Sequence, residues 1–151
     1  MPAAGKRAAP AASKSKKLFT AEEQEAMKAA VADRKRGKLT RADGEAELLA
    51  AVAKLDEPDR GMATRIHALV AAAAPELWPR TWYGMPAYSK DDKIICHFQP
   101  AMKFKTRYAT LGFSDKAKLD DGAMWPNSFA LAKLTPEVEA RITALVKQAV
   151  G

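Results

Sequence analysis

Apolar positions along this chain fall into helical stripes toward both ends and into strand-like alternation between them. Thr20 and Glu23 have capping-box spacing, and the following AEEQEAMKAAVADRKR is rich in good helix formers, which predicts a helix over Ala21–Arg36 stopped by Gly37. A second helix is predicted over Gly44–Leu55, where Leu48, Leu49, Val52 and Leu55 recur at about 3.6-residue spacing. The third has Asp56 or Glu57 as cap, Pro58 in its first turn and Pro75 after its end, with Met62, Ile66, Leu69, Val70 and Ala73 on one face.

From Pro79 onward the pattern changes. Ala87–Ser89 and Lys93–Phe98 read as a hairpin around the polar turn Lys90-Asp91-Asp92-Lys93, and Phe104–Phe113 reads as a longer third strand. Asp120-Asp121-Gly122 marks a turn and Ser128–Ala132 a short strand. Thr135-Pro136-Glu137 opens a final helix whose Val138, Ile142, Leu145 and Val146 share a face. This order predicts an α+β fold, with helices over an antiparallel sheet.

Several motifs give that layout a family likeness. AP-x-L-W at Ala74–Trp78, WYGMPAY at Trp82–Tyr88, KFKTRYATLGF at Lys103–Phe113 and MWPNSFAL at Met124–Leu131 resemble the YdhG-like domains, a family of small bacterial proteins mostly described as of unknown function. The resemblance covers roughly residues 59–150, and Phe19–Lys28 is also similar to one subgroup. It implies a curved antiparallel sheet packed by helices and brings no agreed activity. Some members have been proposed as frataxin-like iron chaperones, so iron is the one cofactor the resemblance implies, and no set of catalytic residues comes with it. The expected division is a disordered basic tail at 1–17, a helical extension at 18–55 and a YdhG-like domain at 56–151.

Charge and cysteine content narrow the class. Residues 1–17 carry five bases and no acids out of a net +7 for the whole chain, and they lack any apolar period. Such a segment cannot bury enough surface to offset its chain entropy, and it could hold nucleic acid only weakly, through phosphate contacts. A solubilising terminus is the plainer reading of it. Charge stands where a signal peptide would need an apolar core, no apolar run is long enough for a bilayer, and Cys96 is the single cysteine. Together these predict a cytoplasmic protein with no membrane partner.

The sequence holds no complete catalytic constellation, and the chain leans away from an enzyme. Phosphate-loop, dinucleotide, nucleophile-elbow and zinc motifs are all absent. Cys96 and His97 are consecutive on a predicted strand, so they point to opposite faces and cannot form a dyad; Cys96 falls in phase with Ile94 and Phe98, whereas His97 goes with Ile95 and Gln99. His67, His97, Asp91 and Asp92 are the weak metal candidates, without zinc-type spacing. The ligand-binding candidates are the aromatic cluster Trp78, Trp82, Tyr83 and Tyr88, and the run Lys103, Lys105 and Arg107, whose spacing by two would put three cations on one face of the third strand. On this reading the chain is a non-catalytic binding module for a small anionic ligand or a partner peptide. The alternatives are an iron-binding protein and, less strongly, a nucleic-acid-associated one.

Overall fold

Thr20 and Glu23 form a capping box: Thr20 Oγ1 accepts from the Glu23 amide at 3.1 Å and the Thr20 amide donates to Glu23 Oε1 at 3.3 Å, the reciprocal pair that the sequence spacing predicts. The computed structural model describes residues 20–36 and 40–151. The basic tail and the stop at Gly37 lie outside the described residues. Helix α1 spans Ala21–Arg36, as its composition predicts. Helix α2 spans Arg41–Ala53 and so begins three residues before the predicted Gly44. Thr40 is its cap, with Oγ1 accepting from the Asp43 amide at 3.1 Å, a signal that lies just upstream of the apolar stripe.

Helix α3 spans Asp59–Ala73, and Pro58 sits at its N-cap position instead of inside the first turn. Glu57 Oε1 accepts from the Gly61 amide at 2.9 Å, so a residue before the helix satisfies one of the free amides of its first turn. Five strands follow: β1 Trp78–Trp82, β2 Met85–Lys90, β3 Lys93–Gln99, β4 Ala109–Phe113 and β5 Ser128–Leu131. Helix α4, Pro136–Val150, closes the chain, with Thr135 Oγ1 accepting from Val138 at 3.2 Å. The sheet is antiparallel throughout in the order β1-β2-β3-β4-β5, and the fold is α+β.

Two tight hairpins build one end of the sheet. Tyr83 and Gly84 connect β1 to β2 with φ of 51° and 76°, and Asp91 and Asp92 connect β2 to β3 with φ of 52° and 64°. Positive φ at both central residues is the two-residue turn whose twist suits antiparallel strands. Strand β1 was not among the predicted strands. It contains Pro79, which an edge strand tolerates because no ladder hydrogen bond is required on its outer side.

Two expectations fail in the middle of the sheet. Residues 104–108 alternate like a strand, yet β4 starts only at Ala109. The Asp59 carboxylate, 2% exposed, accepts from the amides of Ala101 at 3.2 Å and Met102 at 2.8 Å, and Lys105 turns the chain with φ 56°. Tertiary hydrogen bonds to the start of α3 thus hold this segment as a turn. In β3 the pairing slips between Tyr88 and Ser89, so that Ser89 faces Ile94 while Tyr88 faces Cys96. The resulting bulge breaks the alternation, and Ile95 joins Cys96 in the core instead of siding with His97.

The core lies between one face of the sheet and helices α2, α3 and α4. Leu48, Val52 and Leu55 meet Ile66 and Val70 there, together with Tyr88, Cys96, Phe98 and Leu111 from the sheet and Ile142 and Val146 from α4. A bidentate pair from Arg65 to Glu139, at 3.0 and 2.9 Å, ties α3 to α4. Helix α2 presses onto β1 so closely that a Cβ at Gly44 would collide with the Pro79 carbonyl oxygen, which explains a glycine inside a helix. No described helix is long and apolar enough to cross a membrane.

Candidate functional site

The predicted aromatic cluster is divided by the sheet. Tyr88 faces the core, and its hydroxyl lies 3.0 Å from His67 Nδ1, while His67 Nε2 lies 3.1 Å from Glu45 Oε2. A carboxylate only accepts, so Nε2 carries a proton, and in a neutral ring Nδ1 accepts from the phenol. His67 therefore satisfies a buried hydroxyl, and burial pushes the Tyr88 phenol far above its ordinary pKa. Trp78 is 41% exposed at the start of β1 and stands apart from the other rings. Trp82 and Tyr83 meet edge-on at 4.9 Å, and Trp82 meets His97 at 5.0 Å. These last three line a groove of about 380 Å³ with Met27, Gln99 and Phe104, between α1 and the second face of the sheet.

The three cations do not form a patch, because the segment carrying them is a turn and not a strand. Lys103 Nζ donates to the Gly84 carbonyl at 3.1 Å, Lys105 pairs with Glu22 at 3.2 Å, and the Arg107 guanidinium lies 5.1 Å from the Tyr108 ring centre. Burial lowers the Lys103 pKa, opposed by the Glu25 charge. Lys103 shares a cleft of about 470 Å³ with Glu22, Glu25, Lys54 and Asp56. Mixed signs there give no concentrated positive potential for an anion.

Cys96 and His97 do lie on opposite faces. Burial raises the Cys96 thiol to about 12, which keeps it protonated and unreactive at neutral pH. His97 lies over Gly112, where a Cβ would run into the imidazole, and burial lowers its pKa. Asp91 and Asp92 form the β2–β3 turn. Among the described residues no group of three or more His, Cys, Asp or Glu side chains is arranged to hold a metal ion.

A site that the sequence did not suggest lies at the other end of the sheet. Strand β5 pairs only with β4 among the described strands, and α4 packs chiefly on α3, leaving a cleft of about 550 Å³ between β5 and α4. Leu111, Phe129, Leu131, Val138, Ile142 and Leu145 form its apolar wall. Its only charged lining residues are Lys133 and Arg141, and the Arg141 guanidinium sits 5.4 Å from the Phe129 ring centre. The Phe113 amide donates to the Asn127 carbonyl at 2.8 Å. In an antiparallel ladder bonded pairs alternate with unbonded ones, so Phe129 and Leu131 also face β4, and the amides and carbonyls of Ser128 and Ala130 point outward from the sheet.

The chain matches no family model, no curated protein and no solved structure. What the cleft can do must come from its own chemistry. It joins an outward row of backbone donors and acceptors to an apolar wall and two cations. Met124, 89% exposed, and Trp125 extend apolar surface just ahead of β5. The signal available in the sequence was the adjacency of MW to a short strand followed by Lys133 and Arg141, but nothing local says that β5 and α4 stand apart.

Proposed function

We propose that the protein is a binding module for an extended partner peptide, which adds to the sheet as a sixth strand along β5. The observation that carries this reading is the coincidence of a free strand edge with an apolar cleft whose only charges are positive. Backbone hydrogen bonds from Ser128 and Ala130 would give the peptide its direction, and every second side chain would enter the wall formed by Phe129, Val138 and Leu145. Lys133 and Arg141 favour a peptide carrying Asp, Glu or its C-terminal carboxylate, since a guanidinium already held against a ring loses little freedom when it binds a carboxylate.

Displaying short random peptides against the protein tests this. Enrichment of alternating apolar sequences with acidic residues or an acidic C-terminus is expected, and the selected peptides should lose binding to Ala130→Pro, which removes an outward amide, and to Lys133→Glu with Arg141→Glu. The reading is overturned by failure to enrich any such sequence, or by binding that survives both changes in folded protein.

A further inference from the structure

The groove between α1 and the second face of the sheet is independent of the β5 cleft and differs from it in chemistry. Three rings, Trp82, Tyr83 and Phe104, share it with the thioethers of Met27 and Met85. The Trp82 ring is fixed between Tyr83 at an interplanar angle of 88° and His97 at 62°, so the rings form a defined wall and not a loose apolar patch. His97 and Gln99 stand two residues apart on one strand and so project from the same face. Among the described residues, neither the imidazole nitrogens nor the Gln99 amide group has a hydrogen-bond partner, although both side chains are half-buried.

We propose that this groove binds a planar, uncharged heteroaromatic ring of the nucleobase class, stacked on the aromatic wall and held at its edge by His97 and Gln99. A neutral imidazole offers one donor and one acceptor, and a primary amide offers both as well. That pair matches a ring edge on which donors and acceptors adjoin, as in purines, whereas a purely apolar ligand would leave both groups desolvated and unpaired. Burial keeps His97 in the neutral form this pairing needs. Glu23 is among the lining residues, and its negative charge, with Oε1 accepting from the Thr20 amide, disfavours a phosphate and selects the base or nucleoside over the nucleotide. Gly112 makes the space: a side chain there would displace the imidazole that lies 3.0 Å, at Nε2, from the added Cβ position.

The test uses the full chain with adenine, guanine and adenosine up to about 1 mM, followed by tryptophan fluorescence and ligand-observed NMR. Binding of at least one purine is expected, with adenosine monophosphate weaker than adenosine. Gln99→Leu should weaken binding at least tenfold at an unchanged melting temperature. Met27→Glu, on an exposed position of α1, should do the same without touching the core. The proposal is overturned if no purine binds, if both folded variants bind as well as the parent, or if tetramethylammonium binds in preference to the purines, which would make the rings a cation cage.

Discussion

The two edge strands of this sheet are treated in opposite ways. Strand β1 is covered: α2 lies against it so tightly that Gly44 has no room for a methyl group beside the Pro79 carbonyl. Strand β5 is left beside an open cleft, with Ser128 and Ala130 exposed and no further strand paired to it among the described residues. An uncovered edge is a template for another chain, and folds normally blunt it with charge, proline or a covering element. One edge is thus covered at the cost of a helical glycine, while the other lies beside an apolar wall and two cations, and the proposed pairing at β5 rests on that difference.

Breaking the covered edge should have the largest effect. Gly44→Val forces α2 away from β1, and a loss of about 3 kcal/mol or more in denaturant unfolding is expected from overpacking against backbone that cannot yield. If Gly44→Val unfolds at the parental denaturant concentration, β1 is not held by α2 in the way described. Asp59→Ala comes next. It strands two amides where β3 leads toward β4, and about 2–3 kcal/mol should be lost, with residues 100–108 becoming protease-sensitive first.

The shared core behind both edges gives a pH signature of intermediate size. Cys96 and Tyr88 have folded pKa values raised above their unfolded ones, so the unfolded state loses its protons first as the pH rises. Their contribution is fully present below about pH 9 and declines from there toward about pH 12, and Cys96→Ala should remove the earlier part of that decline. His97, lowered by burial, acts in the other direction: its contribution is present above its ordinary value of 6.5 and is lost as the pH falls below it. A stability profile unchanged by His97→Gln on the acid side would show that the ring is more hydrated than its position over Gly112 indicates. The smallest stability effect belongs to the open edge. Ala130→Pro removes an amide that faces outward, so its melting temperature should stay within about 3 °C of the parent, roughly 1 kcal/mol for a chain of this size. A larger fall would mean that Ala130 pairs with β4 and that the register of β5 is shifted by one.

Most of the element order was readable because local signals and the final packing agree. Thr20 with Glu23, Thr135 with Pro136, and Asp91-Asp92 between two β-rich runs each fix an element by short-range hydrogen bonding or turn geometry. The misses come from forces between distant residues. Residues 104–108 alternate correctly for a strand, but the turn leading into them is pinned at Ala101 and Met102 by Asp59, over forty positions upstream. Ile95 was assigned to the wrong side because a bulge leaves no mark in an alternating sequence. The same limit applies to the sites. The grouping of Lys103, Lys105 and Arg107 depends on a strand that does not form, whereas Lys133, in the loop after β5, and Arg141, in α4, come to one cleft only through the gap between β5 and α4. Trp82 and Tyr83 do lie together, as their adjacency predicts, but the other groups of their groove, His97 and Gln99, come from another strand.

The pairing of β5 also has a consequence for solvent isotope exchange. Along four residues, amides that face β4 alternate with amides that face outward, so Phe129 and Leu131 should take up deuterium slowly while Ser128 and Ala130 exchange almost as fast as in a free peptide. A bound strand would protect all four alike. The disappearance of that odd–even comb would report occupancy of the edge residue by residue, even for a partner too weak to survive purification.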